Sequence, residues 1–185
     1  TRSIAEGGPL SETGARGSSV THAFGLQETG RLLVPGIVWE VEGIGEWGHR
    51  SADRLRAGAL FVTATHNFTP DQSLSVGYNQ ASGDGTRGDG TTHLYDFLYS
   101  SGFNNYGYMG LSAGRNIADA RLGGLSKVAG PASLLWAYHE QFLSVRQDAW
   151  YAIFTPHVAR ADARSSHLGR EIDLALLLRF PFARR

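Results

Sequence analysis

The stretch Tyr78-Asn79-Gln80-Ala81-Ser82-Gly83-Asp84-Gly85 decides the fold, because a strand pattern runs there directly into a long loop rich in Gly and Asp. Strand-sized segments that alternate apolar and polar residues recur through most of the chain. Charged residues occupy the polar positions in almost all of them. In a soluble sandwich the charged side faces bulk water, whereas in a membrane barrel it faces an inner lumen and the apolar side faces lipid. The choice between these two architectures is most of the functional question.

The composition excludes several classes of function. Of the 185 residues, 17 are basic and 17 are acidic. Because a nucleic-acid-binding domain usually carries a net basic charge, we expect no nucleic acid partner. The chain contains no Cys, which excludes disulfides and thiolate metal sites. No run of about 18 apolar residues occurs, so the sequence offers no transmembrane helix.

Period-two alternation predicts about seven strands, with one more needed to give the even number typical of bacterial single-chain barrels. The clearest strand begins at Ile37 and carries Trp39 and Trp47 on one face and three Glu residues on the other. Residues 1–19 read as a loop or an N-terminal extension, and residues 20–185 as the barrel strands. The predicted strands cover 20–33, 37–48, 54–66, 73–82, 118–128, 133–143 and 167–180.

The second and third predicted strands are joined by a short connection, so we expect them to pair as a hairpin. Alternation places Glu40, Glu42 and Glu46 on the polar face of one strand, and Arg54 and Arg56 on the polar face of the other. We therefore predict that these glutamates and arginines meet across the ladder, where opposite charges stabilise a pair by roughly 0.2–1 kcal/mol.

The connections between the predicted strands fall into two length classes. Residues 34–36, 67–72 and 129–132 form short turns at one end of the strands, and residues 83–116 and 144–166 form long loops at the other. The short connection 49–53 lies at the long-loop end. Short turns on one side and long loops on the other are typical of outer-membrane barrels. We therefore predict an all-β, antiparallel transmembrane barrel or barrel segment of about seven or eight strands.

A set of short pieces, in fixed order over residues 78–174, resembles the C-terminal part of alginate-export-type outer-membrane barrel proteins. Each piece is short, and it is their order and spacing that carry the resemblance. The pieces are YNQASGD at 78–84, DG at 89–90, LY at 94–95, YGYMG at 106–110, RNI at 115–117, YH at 138–139, DAWY at 148–151 and HLGREIDL at 167–174.

The resemblance implies a channel in a bacterial outer membrane that passively conducts an anionic polysaccharide or another polar solute. It implies contact with membrane lipid, no cofactor and no catalysis. The family barrel is larger than this chain, so we expect the chain to be a short relative, a fragment or one part of a multi-chain barrel. Two alternatives stay open: a soluble β-barrel that binds a small ligand in its interior, and a structural barrel segment that assembles with other chains.

Ten charged residues are predicted to line the pore. A basic lumen would attract a polyanion, because guanidinium groups pair with carboxylates through two hydrogen bonds. Acids and bases nearly match in number, however, and mutual pairing is the simpler interpretation. The predicted pore-lining residues are Glu40, Glu42, Glu46, Arg54, Arg56, Arg121, Lys127, Glu171, Asp173 and Arg179.

The first long loop supplies further candidates. Asp84, Asp89 and Asp96 offer oxygen ligands for calcium, but their spacing fits no EF-hand loop and a solvated loop is the preferred interpretation. The tyrosines of the loop would stack on sugar rings or order the loop itself. No HExxH or GxSxG motif is present, so we predict neither a metal site nor a catalytic site. The predicted outer-loop residues are Asp84, Arg87, Asp89, Tyr95, Tyr106 and Tyr108.

One expectation separates the membrane barrel from the soluble fold. In a lipid-facing barrel, a set of apolar side chains is exposed on the outside, whereas in a soluble fold the same side chains form the core. The set comprises Trp39, Val41, Phe61, Ile172, Leu174 and Leu176.

Overall fold

The computed structural model describes residues 9–32, 35–96, 105–152 and 165–179. All seven predicted strands are present, and a further strand of two residues lies inside the first long loop. The predicted strand ends at 33 and 180 lie outside the described residues. The strands are β1 (Ser19–Arg31), β2 (Ile37–Arg50), β3 (Asp53–Thr69), β4 (Gln72–Ala81), β5 (Thr91–Thr92), β6 (Ile117–Ala129), β7 (Ala132–Phe142) and β8 (His167–Leu178).

The strands form one sheet in the order β1-β2-β3-β4-β6-β7-β8, in which every neighbouring pair is antiparallel. The short β5 pairs with β3 in the parallel sense. This architecture confirms the predicted all-β, antiparallel class. Within the described residues the sheet is not closed, because β1 and β8 remain its two edges. No helix in the described part of the chain is long and apolar enough to cross a membrane.

The connection between β2 and β3 is a two-residue turn at 51–52, which pairs Arg50 with Asp53. Each later pair follows from that one, so Glu46 lies opposite Ala57 and Arg56 lies opposite Trp47. The predicted meeting of glutamates and arginines across this ladder is therefore wrong. Because side chains alternate between the faces of a sheet, an offset of one residue moves the whole arginine set to the other face.

We call the two sides of the sheet the inner and outer faces. Directly paired residues share a face, so the pairing assigns each strand. The inner face carries mostly polar side chains, including Glu40, Glu42, Glu46, Asn79, Asp119, Arg121, His139, Glu171 and Asp173. The outer face carries mostly apolar side chains, including Trp39, Val41, Trp47, Val76, Tyr78, Leu122, Trp136, Tyr138, Ile172, Leu174 and Leu176.

The outer face leaves large apolar side chains uncovered. Ile172, Leu174 and Leu176 on β8 are 70%, 65% and 61% exposed, while Trp39 and Val41 on β2 are half-buried. A contiguous apolar surface of this kind marks a site of contact with lipid or with another protein. The exposure of these β8 residues agrees with the expectation for a lipid-facing sheet.

A small hydrophobic cluster lies on the inner face, where the first long loop folds back over the sheet. Phe61 of β3 packs there against Tyr106 of the loop, with ring centroids 6.3 Å apart. Ala81, Tyr95 and Ile117 complete the buried cluster. The prediction that Phe61 faces lipid is wrong, because the β2–β3 register turns the odd-numbered residues of β3 inward and the loop covers them.

This assignment of faces predicts different effects for two neighbouring residues of β3. Phe61 is 8% exposed and Leu60 is 40% exposed. We expect Phe61→Ala to lower the free energy of unfolding in detergent by about 3 kcal/mol, through lost packing and a cavity. Leu60→Ala, which removes an outer-face side chain, should lower the free energy of unfolding much less. Urea unfolding followed by tryptophan fluorescence measures both, and equal losses would contradict the assignment.

Candidate functional site

Residues 105–109 of the first long loop lie across the inner face of the sheet. Asn79 of β4 donates a hydrogen bond through Nδ2 to the carbonyl oxygen of Asn105, at 2.5 Å. Gln141 of β7 donates through Nε2 to the carbonyl oxygen of Tyr106, at 2.7 Å. Two side-chain amides from separate strands therefore hold the main chain of this segment, which we call the infolded segment.

Two acids of β8 hold the same segment from its other side. The backbone N–H of Met109 donates to Glu171 Oε1 at 2.6 Å, and that of Tyr108 donates to Asp173 Oδ2 at 3.1 Å. Hydrogen bonds to an ionised carboxylate are stronger than those between neutral groups. Two of the predicted pore-lining acids thus bind the loop instead of the predicted bases.

Gly107 is the position at which the infolded segment comes closest to β8. Its φ is 92°, a conformation that favours glycine, and an added Cβ would overlap the carboxylate of Glu171. Only a residue without a side chain allows the neighbouring N–H groups to reach the two acids.

A histidine between two carboxylates lies directly beneath the infolded segment. His139 Nδ1 is 3.0 Å from both carboxylate oxygens of Asp119, and His139 Nε2 is 3.4 Å from Asp173 Oδ2. His139 is 2% exposed and Asp119 is fully buried. Alternation places both residues on the polar face, but the predicted site left them out because no metal or catalytic spacing marks them.

A cavity of about 380 Å³ opens beside the infolded segment on the inner face. Arg121 of β6 borders it and donates through Nη2 to Thr63 Oγ1 at 3.2 Å. Among the residues that the structure describes, no carboxylate lies within 4.0 Å of its guanidinium nitrogens. Gly77, opposite Arg121 on β4, leaves room for the guanidinium. The polar residues around the cavity are Thr65, Ser73, Ser75, Tyr108, Arg121, His139 and Asp173.

The other four predicted pore-lining bases lie elsewhere. Lys127 Nζ and Arg179 Nη1 form ion pairs with Asp71 of the β3–β4 turn, at 3.3 Å and 2.9 Å. Arg54 and Arg56 are exposed on the outer face, opposite His49 and Trp47. The prediction that these two arginines share a face with the glutamates is therefore wrong.

The glutamates of β2 lie on the inner face as the alternation predicted. Glu46 is 4% exposed and accepts a hydrogen bond from the backbone N–H of Asp96 at 2.8 Å. Glu40 accepts a hydrogen bond from Gln27 of β1. Glu42 lies opposite Phe61. The predicted mutual pairing of acids and bases does not occur among these residues.

Asp148 joins the two long loops. Its carboxylate accepts hydrogen bonds from the backbone N–H of Asp84 at 2.8 Å and from the Tyr151 hydroxyl at 3.0 Å, and it pairs with Arg87 at 3.3 Å. The hydrogen bond to Asp148 raises the pKa of the Arg87 guanidinium. Asp148 is 1% exposed, so the contact between the loops is built around a buried charge.

Asn116 fixes the second loop to the start of β6. Its side chain accepts from the N–H of Val145 at 2.7 Å and donates to the carbonyl oxygens of Val145 and Ala149, at 3.1 Å and 2.9 Å. Its φ is 48°, a left-handed conformation that Asn tolerates better than most residues. The pattern of apolar residues gives no sign of this role.

The three aspartates considered for calcium are engaged by the chain itself. Asp84 accepts from the N–H groups of Thr86 and His93, and Asp89 accepts from that of Thr91. Asp96 pairs with two arginines, Arg50 and Arg115. Asp84 is 4% exposed, so the prediction of a solvated loop is wrong at that residue. The described part of the chain contains no group of three side chains that could hold a metal ion.

Comparison with known proteins agrees with this architecture. The sequence profile of the alginate export family matches residues 3–185. The chain belongs to the alginate export family. No curated protein matches the sequence. Membership confirms the resemblance drawn from the short pieces, and the all-β fold of this export family fits transport through an outer-membrane β-barrel.

Two carboxyl groups in the loop region of this family member interact directly. Burial, and after it the hydrogen bond to Asp84, raise the pKa of Glu12 to about 7 against the opposing hydrogen bond from the Gly88 N–H. Burial also opposes ionisation of Asp84, but hydrogen bonds from Glu12, Thr86 and His93 outweigh it and lower its pKa. A proton on Glu12 shared with an ionised Asp84 accounts for both directions.

We expect Gly107→Ala to release the infolded segment. Alanine is strained at the positive φ of this position, and its Cβ would clash with the Glu171 carboxylate. Hydrogen exchange at the Tyr108 and Met109 amides should therefore accelerate by about tenfold or more. Gly88→Ala is the matched control, because Gly88 has a φ of 85° but open space around an added Cβ. Unchanged exchange in Gly107→Ala would contradict the described contact.

We expect the contribution of the Glu12–Asp84 contact to the stability of the protein to decrease as the pH rises. Because the folded-state pKa is raised from 4.5 to about 7, the stabilisation is fully present below pH 4.5 and disappears as the pH passes about 7. The difference in melting temperature between the unmodified protein and Glu12→Gln should therefore fall across this range. Glu28→Gln, on exposed β1, serves as the control. A difference that does not change with pH would contradict the shared proton.

Proposed function

We propose that the chain forms part of the wall of a channel in a bacterial outer membrane, and that the channel passively conducts an anionic polysaccharide. In this proposal the infolded segment narrows the lumen. The inner-face charges, among them Glu40, Glu42, Glu46, Arg121, Lys127, Glu171 and Asp173, then line the pore together with Arg179, which pairs with Asp71 just beyond β8. Family membership supports export as the general activity.

The two-sided sheet carries this proposal. Its outer face exposes large apolar side chains, and its inner face is polar and covered by a loop. Trp39 and Trp47 lie eight residues apart on the outer face of β2, about 26 Å along a strand. At a strand tilt of about 40°, this separation spans about 20 Å of depth, close to the apolar band of about 25 Å between the aromatic girdles of a barrel.

Arg121 supports an anionic solute in particular. Its guanidinium borders the inner-face cavity and has no carboxylate partner among the described residues. Asp173, on the cavity wall, is already engaged by the Tyr108 N–H and approached by His139. A uronate carboxylate is therefore the natural partner for Arg121, and the hydroxyls of Ser73 and Ser75 suit the ring hydroxyls of a saccharide.

The structure bears differently on the two alternative functions, the soluble ligand-binding barrel and the segment that assembles with other chains. A soluble barrel with an interior ligand would need to cover the apolar outer face, and Ile172 alone is 70% exposed. Assembly with other chains is compatible with the open edges at β1 and β8 in the described residues. Further strands, from this or another chain, would complete the wall in that case.

Single-channel conductance in a planar bilayer tests the proposal. We expect current steps that an oligouronate blocks, and we expect Arg121→Gln to weaken this block by about tenfold, since one charge-assisted contact is lost. Arg56→Gln removes the same charge from the outer face and should leave the block unchanged. Both variants are exposed to the same oligomer at the same ionic strength.

Three results would argue against parts of the proposal. A protein that stays soluble without detergent contradicts the membrane location. Steps that the oligouronate does not affect contradict the anionic polysaccharide. An equal loss of block in Arg121→Gln and Arg56→Gln contradicts the role of the inner-face cavity.

A further inference from the structure

A basic patch lies on the outer face at the long-loop end of β1, β2 and β3. Arg56 is directly opposite Trp47, and Trp47 is directly opposite His22. The three side chains therefore form one row across β1, β2 and β3. The next row toward the loops contains Arg54 opposite His49. The His22 and Trp47 rings stack, with centroids 5.9 Å apart. We call Arg54, Arg56, His22 and His49 the basic rim.

The charge of the two arginines in the rim is not neutralised. Both side chains are exposed, and no described carboxylate lies within 4.0 Å of either guanidinium. The acid that shares the outer face of β1, Glu28, is six residues beyond His22, about 20 Å along the strand. Arg170, on the outer face of β8, differs because it pairs with Glu140 at 3.0 Å.

Apolar side chains adjoin the basic rim on its membrane side. Phe24 and Leu26 of β1 are 65% and 67% exposed, and Leu60 of β3 is 40% exposed. Moving from these residues toward the loops, the surface changes from aliphatic to aromatic and then to cationic. This order matches the order of acyl chain, interface and headgroup in a lipid leaflet.

We propose that Arg54 and Arg56 bind the phosphate groups of a phosphorylated lipid in the leaflet at the long-loop end. This inference rests on the proposed location of the protein in an outer membrane. The planar guanidinium matches a phosphate through two hydrogen bonds, and it is only weakly hydrated. Trp47 lies at the interface beside it, and the acyl chains contact Phe24, Leu26 and Leu60.

Lipid retention on the purified, full-length protein tests the site. The protein is held in an uncharged detergent with diphosphorylated lipid A as the probe, and bound lipid is counted by native mass spectrometry. We expect Arg54→Gln/Arg56→Gln to weaken retention by about tenfold or more, from the loss of two charges near the membrane surface. Arg31→Gln/Arg146→Gln removes two exposed arginines elsewhere and should retain lipid normally.

Further variants and competing ligands in the same retention assay identify which chemical group is bound. Arg54→Lys/Arg56→Lys should restore part of the retention, since charge is kept but the paired hydrogen bonds are lost. A glycolipid without phosphate should be retained poorly by every variant, and inorganic phosphate at equal concentration should not displace lipid A. Equal retention in both arginine-to-glutamine pairs, or retention independent of phosphate, would overturn the site. Conductance measured on the same samples shows separately whether the channel itself has failed.

Discussion

The two-residue turn at 51–52 sets the register of β2 against β3, and much of the molecule depends on that register. It places Glu46 beside Ala57 and Phe61 beside Glu42 on the inner face. The inner face of β3 is therefore apolar from Ala57 to Phe61, and the loop tyrosines Tyr95 and Tyr106 pack against that part of it. The same register sends Arg54 and Arg56 outward. A turn one residue longer would exchange the two faces of β3, leaving Phe61 outside and two unpaired arginines under the loop.

The infolded segment resolves a problem of hydrogen bonding on the inner face. A loop laid over a sheet must satisfy its own N–H and carbonyl groups, because a buried backbone group without a partner is costly. Here Glu171 and Asp173 accept from the N–H groups, while Asn79 and Gln141 donate to the carbonyls. The acids are thereby held by fixed dipoles rather than by lysine or arginine. Arg121 has no carboxylate partner among the described residues, which leaves its guanidinium available to the solute that we propose.

Period-two alternation was enough to find all seven long strands and to assign the two faces within each one, as with Trp136 outward and His139 inward on β7. It does not give the register of one strand against the next, because a change of one residue in the length of the turn shifts that register. That is why alternation alone predicts the wrong face for Phe61, Arg54 and Arg56. The loop anchors Asn116 and Asp148 have no periodic pattern at all, since their role comes from contacts between segments that are far apart in sequence.

Arg54, Arg56 and Arg121 illustrate how position on the sheet decides the chemistry of a residue. Arg121 and Arg56 are the same residue type, each lacks a carboxylate partner among the described residues, and each sits on a strand of the same sheet. Arg121 lies by a cavity lined by hydroxyl groups, which is where we propose that a saccharide carboxylate binds. Arg54 and Arg56 lie beside Trp47 at the edge of an apolar surface, where the proposed membrane location would bring lipid headgroups into contact with them. Because the two environments share no residues, substitution of one set should leave the function of the other intact.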